Sequence, residues 1–212
     1  MEMAASVGNE EGKTGMIDGP TWQLHDPGEE DWPAKIHCPC GDVYLAGYVN
    51  CDLAGVIAPG IADHSDPRNY YAGRSVGAPG AVYVDAMADM GNLTVVADPG
   101  TVDKILCVQG LEHLRLADAR AALSHWHAML RPGGVVVVTV PDTLDTCERT
   151  LITDQAFAIR HLTGTHKNAR FVHWVPWTWE RLRQEMWAAG SSRVEPYPNP
   201  HTYPAIVARA WK

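Results

Sequence analysis

The chain has 212 residues, 17 Lys plus Arg against 25 Asp plus Glu, and a formal net charge of −8. That length suits one domain able to bury a large core without covalent staples, and the acidic balance disfavours nonspecific nucleic-acid binding, which needs a cationic surface. Met1 to Gly19 lacks a basic segment followed by an apolar run, and no stretch approaches the ~18 consecutive apolar residues of a membrane helix. Cys38, Cys40, Cys51, Cys107 and Cys147 are odd in number and lie mostly in or beside apolar segments. They read as reduced thiols of a cytoplasmic protein rather than a disulfide framework.

Residues 1–20 are rich in Gly, Glu, Met and Ala without apolar periodicity and are expected to form a flexible tail, leaving 21–212 as a single domain. Short apolar runs then alternate with helical patterns, which predicts a mostly parallel sheet with flanking helices. Strands are expected at Lys35 to Cys38, Tyr48 to Asp52, Ala81 to Asp85, Lys104 to Val108 and Val135 to Val140, with a terminal antiparallel hairpin from Arg193 to Tyr197 and Ala205 to Ala210. About nine residues separate the first two strands, too few for a full helical crossover, which takes about a dozen or more. The first helix is therefore expected to be abbreviated.

Between Leu53 and Gly80, Pro59, Gly60, Asp66, Pro67, Gly73, Gly77, Pro79 and Gly80 predict a long irregular insertion. Leu116, Ala119, Leu123, Trp126 or His127, and Leu130 recur at helical spacing, with Pro132 and Gly133 expected to end that helix. Val135 to Val140 is β-branched throughout and reads as a strand buried on both faces. Thr178 is expected to cap a helix running to about Ala189, with Glu180 in its first turn, Leu182 and Met186 on one face, and Gly190 as its stop.

The chemistry begins at Lys35-Ile-His-Cys-Pro-Cys-Gly-Asp42, a strand running into a tight loop at Gly41, followed by a second strand ending on Asp52. A glycine lets backbone approach a ligand closely, and an acidic residue ending the next strand can accept hydrogen bonds from both ribose hydroxyls. That pair suits a nucleoside. It is followed by Asp85-Ala-Met-Ala-Asp89, by Val102 to Leu114 with its Leu-Glu-His, by Trp126 to Gly134 with its Arg-Pro-Gly-Gly, and by Val138-Thr-Val-Pro-Asp142.

This series, over about residues 34 to 195, resembles the class I S-adenosylmethionine-dependent methyltransferases, especially a small predicted branch with a Gly-Cys-Gly-like opening, a Leu-Glu-His element and a Pro-Gly-Gly turn. The resemblance implies a Rossmann-like sheet of about six or seven strands and S-adenosylmethionine as cofactor. It implies that Cys38, Cys40, Gly41 and neighbouring backbone hold the methionine moiety, Asp52 and Leu53 the ribose side, and Asp89 with Met90 the adenine. Gln109 would lie where the fourth strand opens onto the transfer site, with His113, His166 and His173 as candidate bases. The sequence departs from the branch at Pro39, which lacks an N–H where a glycine is usual, and at Gln109, where related sequences often carry histidine.

The implied reaction is methyl transfer to an oxygen or nitrogen of a small molecule. The alternative is a catalytically inactive, nucleoside-binding or scaffolding descendant, consistent with Pro39 and Gln109. No Gly-x-Gly-x-x-Gly phosphate loop supports a dinucleotide enzyme. Cys38-Pro-Cys40 is too tightly spaced for zinc and no second pair follows, so no metal is expected. The segment His161 to Trp174, which carries His166, Lys167 and Arg170 and follows directly on Arg160, falls where the resemblance places substrate lids. The sequence suggests a small-molecule acceptor, no membrane partner and no nucleic acid, and leaves a homodimer open, with Trp174, Trp177, Trp179 and Trp187 as core or interface residues.

Overall fold

The computed structural model describes residues 34–41, 43–45, 47–57 and 82–212. The expected tail and most of the turn-rich insertion lie outside them. In chain order the elements are β1 (Lys35–His37), β2 (Val49–Asp52), β3 (Val56–Ile57), β4 (Tyr83–Val84), β5 (Ala86–Met87), β6 (Val102–Val108), α1 (Leu116–Met129), β7 (Leu130–Pro141), α2 (Thr143–Arg149), α3 (Gln155–Thr163), α4 (Trp179–Ala188), β8 (Arg193–Tyr197) and β9 (Ala205–Trp211). Seven strands form one sheet in the order β5-β2-β1-β6-β7-β9-β8, and β3 pairs with β4 apart from it. The pairings β5–β2, β2–β1, β1–β6 and β6–β7 are parallel, while β7–β9 and β9–β8 are antiparallel. The expected mostly parallel sheet with a terminal antiparallel hairpin is thus what the chain forms.

Between β1 and β2 the described residues contain no helix, as the short spacing requires. Val43, Leu45 and Tyr48 instead bury themselves against Leu106, Val108, Val135, Val137 and Val207, so a loop covers this part of the sheet. Asn50 holds the loop shut. Its Oδ1 accepts from Leu45 N at 2.9 Å, and its Nδ2 donates to Leu45 O at 2.9 Å and Tyr48 O at 3.1 Å. These bonds satisfy backbone groups that a helix would otherwise have paired internally.

Two expectations are corrected. Of the strand expected at Ala81 to Asp85, Ala81 lies outside the described residues and the strand ends at Val84. Asp85 interrupts it, because its carboxylate accepts from Asn50 N at 2.8 Å and Tyr44 Oη at 2.5 Å, and the chain steps there from the small sheet to the large one. Pro132 and Gly133 do not end α1, which stops at Met129. The Pro-Gly-Gly lies inside β7, Leu130 belongs to that strand, and the pairing slips between Val102 and Lys104. An added Cβ at Gly134 would lie 3.0 Å from the backbone oxygens of Arg131, Asp103 and Val102, so close packing favours glycine there. Lastly, α2 and α3 were not legible from apolar periodicity; each begins at an aspartate, Asp142 or Asp154, whose side chain accepts from backbone N–H groups of the first turn.

The main core lies between the sheet and α1 with α4. Ile36, Ile105, Cys107, Val136 and Val138 meet Ala119, Leu123, Trp126, Leu182 and Met186. Trp126, not His127, is the buried member of the helical repeat. Thr178 caps α4 as expected, its hydroxyl accepting from Arg181 N. A fork from Arg120 to Glu185, at 2.8 and 2.7 Å, ties α1 to α4 and holds the Glu185 carboxyl below its ordinary range. Trp177 is core, whereas Trp174 and Trp187 are exposed beneath the guanidinium groups of Arg115 and Arg183. No helix among the described residues is long and apolar enough to cross a membrane.

His37 is fully buried and its Nδ1 meets Asn50 Oδ1 at 3.1 Å. Burial lowers its pKa from 6.5 to about 4. The neutral ring therefore contributes stability that is present above pH 6.5 and is lost as pH falls toward 4, because the unfolded chain takes up a proton the folded one refuses. Full loss corresponds to about 3 kcal/mol. Burial shifts His113, His125, His127, His161 and His173 the same way. Denaturant unfolding at pH 7 and pH 4.5 should show a clear fall in stability, part of which disappears in His37→Gln; a pH-independent midpoint would contradict this.

Candidate active site

In a parallel sheet the carboxyl ends of the strands open where loops diverge, and ligands bind in that crevice. Gly41 follows β1, Asp52 ends β2, Asp89 follows β5 and Gln109 follows β6. The backbone joins them: Cys38 N donates to Leu106 O, Cys40 N to Cys51 O and Ala88 N to Asp52 O, at 3.0, 2.9 and 2.9 Å.

Asp52 organises the first loop. Its Oδ2 accepts from Gly41 N at 2.9 Å and its Oδ1 from Leu53 N at 2.7 Å. Each carboxylate oxygen keeps a further lone pair for a hydroxyl donor. Gly41 has φ +55, a conformation that favours glycine, and among the described residues an added Cβ there would meet no atom within 4 Å. Leu53 is exposed at the same edge. Behind the loop, Pro39 packs on Gly110 so tightly that a Cβ on Gly110 would lie 2.5 Å from the proline Cδ.

Cys38 and Cys40 are buried, their thiols pushed well above the ordinary range by burial; Cys51 is pushed up to about 12 by the same cause. They remain protonated and packed. Any contact with a ligand at Cys38 comes from its backbone. The Met90 side chain likewise belongs to the core, and its carbonyl accepts from Trp126 Nε1 at 2.6 Å. Asp89 stays exposed, its Oδ1 accepting from Gly91 N at 2.7 Å, and Leu93 N donates to His125 Nε2 at 2.7 Å. Two side chains of α1 therefore fix the loop that carries Asp89.

Gln109 has φ +52, a left-handed conformation uncommon for a residue with a Cβ, and its buried Nε2 has no hydrogen-bond partner among the described residues. Such strain is held in place by surrounding structure and clusters at functional sites. Next come Glu112 and His113 in a short 3-10 turn. His113 Nδ1 donates to Val172 O at 3.2 Å, and His173 Nδ1 donates to His161 O at 2.9 Å. Both rings are thereby oriented by backbone carbonyls, 4.8 Å apart between centroids. Burial lowers both pKa values, His173 to about 4, so both are neutral bases at pH 7. Glu112 is fully buried, which raises its carboxyl to about 8.

His113, His161 and His173 line a cavity of about 210 Å³ with Phe157 and Phe171. His166 does not join them. It is exposed at φ +53 on a neighbouring depression of about 520 Å³ with Lys167 and Arg160. The grouping of Glu112 with His113 and His173 was invisible to spacing, since His173 reaches it only through the fold: Trp174 N donates to Glu112 O at 2.9 Å.

The sheet order and this carboxyl-edge crevice define a Rossmann-like methyltransferase fold. A family model described as "Methyltransferase domain" matches residues 61–138. Among solved structures the chain is similar to the S-adenosylmethionine-dependent methyltransferase SibL in its apo form, at 17% identity and TM-score 0.54 over 89% of this chain and 53% of that one. It is also similar to human N-acetylserotonin methyltransferase in complex with SAM, at 12% identity and TM-score 0.50 over 85% and 48%. The chain thus spans about half the length of these structures. No curated protein matches the sequence. These likenesses show the fold of the class I S-adenosylmethionine-dependent methyltransferases.

Proposed function

We propose that the protein transfers a methyl group from S-adenosylmethionine to an oxygen or nitrogen of a small-molecule acceptor. The observation that carries this reading is Asp52, held at the end of β2 by Gly41 N and Leu53 N with a further lone pair left on each carboxylate oxygen. Its position fits a ribose, and the glycine turn at Gly41 fits close approach of the amino-acid portion. Asp89, exposed on a loop braced by Trp126 and His125, would accept from the adenine amine. When bound, the cofactor supplies a methyl group activated on a sulfonium.

The chain's own task is alignment. Acceptor and cofactor must meet in line, and fixing that geometry removes much of the entropic barrier. His113 and His173 present neutral imidazoles whose Nδ1 protons are committed to backbone carbonyls. Their Nε2 lone pairs are therefore the acceptors for a proton leaving an alcohol or amine. His166, on the exposed rim, would meet the outer part of an acceptor. A cytoplasmic location fits the five free thiols, and a homodimer through the exposed tryptophans is compatible with this reading.

A second reading, nucleoside binding without catalysis, draws on the same loop. Pro39 has no N–H, Cys40 N is used by Cys51 O, and Gly41 N by Asp52. Few donors then remain for the cofactor's carboxylate.

Methyl-labelled S-adenosylmethionine incubated with the protein and a panel of small phenols, carboxylic acids and amines tests the proposal. Label should enter a small product, and Asp89→Ala should raise the cofactor KM about tenfold, the loss of one charge-assisted hydrogen bond, with kcat little changed. Cofactor binding without transfer to any acceptor class would favour the second reading.

A further inference from the structure

We infer that Glu112, His113 and His173 form a binding site for a first-row divalent transition metal of the Zn²⁺ type. One ligand atom from each of the three lies within 4.8 Å of the other two. Metal bonds of about 2.0–2.2 Å to nitrogen and carboxylate oxygen place ligand atoms about 3–4 Å apart, so a small contraction of the cluster completes the geometry.

Two further observations point to a cation. Glu112 is fully buried, yet among the described residues no other residue donates a hydrogen bond to either carboxylate oxygen. Folded chains pair the great majority of buried polar groups, because an unpaired one loses its hydration without compensation. A divalent ion satisfies those oxygens directly. Each histidine, moreover, donates its Nδ1 proton to a backbone carbonyl, Val172 O or His161 O. This outer hydrogen bond fixes the tautomer and aims the Nε2 lone pair, the arrangement that metal-binding histidines nearly always show.

The donor set identifies the class of ion. Two imidazole nitrogens and one carboxylate oxygen suit Zn²⁺ and its neighbours, whereas Mg²⁺ and Ca²⁺ prefer oxygen ligands. Three protein ligands leave a coordination position open, and His113 and His173 both line the 210 Å³ cavity. Resting on the methyltransferase reading, the open position would take an oxygen of the acceptor. The imidazoles would then hold the ion rather than the proton, and the ion would lower the pKa of the bound hydroxyl so that its proton passes to solvent water and the oxygen takes the methyl group.

The test uses the full chain, freed of metal by chelator and titrated with Co²⁺, whose visible absorption reports coordination. One Co²⁺ per chain with an intense visible band, displaced by Zn²⁺ but not by an excess of Mg²⁺, is expected. Glu112→Gln and His173→Gln should each weaken binding at least tenfold, while His166→Gln should leave it unchanged. Absence of a stoichiometric cobalt signal in the unsubstituted chain overturns the proposal whatever the variants do, and so does equal binding by Glu112→Gln and His173→Gln. Calorimetry with S-adenosylmethionine on the metal-free chain separates the two readings, since cofactor affinity there depends on Asp52 and not on the ion.

Discussion

Trp126→Ala should destabilise the protein by about 3–5 kcal/mol, the range for removing a fully buried aromatic side chain. Trp126 has no exposed surface, and it stands between α1 and the sheet within the main core. Its loss leaves a cavity that rigid β-strands cannot close, so the transfer term and the cavity term add. The indole does a second job by donating to the Met90 carbonyl at 2.6 Å. Removing it leaves a buried acceptor unpaired and releases the loop that carries Asp89. Trp126→Phe keeps most of the volume and loses only the hydrogen bond, at about 1–2 kcal/mol. Denaturant melts of the two variants measure both contributions; equal stability of Trp126→Ala and wild type would show that the α1 packing described here is wrong.

Asp52→Ala should lower affinity for S-adenosylmethionine a hundredfold or more. Two charge-assisted hydrogen bonds to ribose hydroxyls, each worth about 1.5–3 kcal/mol, disappear together. The substitution also removes the acceptor for Gly41 N and Leu53 N, so the turn after β1 loses its anchor. Asp52→Asn separates the effects. An amide oxygen can still accept from one backbone N–H, while the negative charge and half the acceptor capacity are gone. Asn should therefore keep the loop ordered yet bind cofactor poorly. If Asp52→Asn and Asp52→Ala both bind as wild type does, ribose recognition does not reside at the end of β2.

The sequence made the central sheet legible because its strands announce themselves in composition. Val135 to Val140 is unbroken and β-branched, Val102 to Val108 is buried at every position, and the hairpin at β8 and β9 flanks a Pro-rich loop. The missing first helix was legible from distance alone. What failed to show was set by tertiary contacts. Asp85 reads as a strand residue but stands outside the strand, because its carboxylate is claimed by Asn50 and Tyr44 from elsewhere in the chain. The Pro-Gly-Gly reads as a helix stop but serves as an irregular start to β7, where crowding by neighbouring carbonyls disfavours a Cβ at Gly134.

The site divides in the same way. Gly41, Asp52, Asp89 and Gln109 were legible because each follows or ends a strand, and the carboxyl edge of a parallel sheet collects such residues by construction. Met90 and Cys38 sit beside them in sequence but turn into the core, a choice that adjacency cannot reveal. His113 and His166 looked equivalent as candidate bases, yet only His113 is brought to His173, through the bonds Trp174 N to Glu112 O and His173 N to Thr163 O. His166 remains at the surface beside Lys167.

The most direct measurement is calorimetric titration of the full chain with S-adenosylmethionine and S-adenosylhomocysteine. The account predicts saturable binding of both in the micromolar range, one molecule per chain. No binding of either ligand at millimolar concentration would contradict it, and would leave the crevice at the ends of β1, β2 and β6 as inherited architecture without its cofactor.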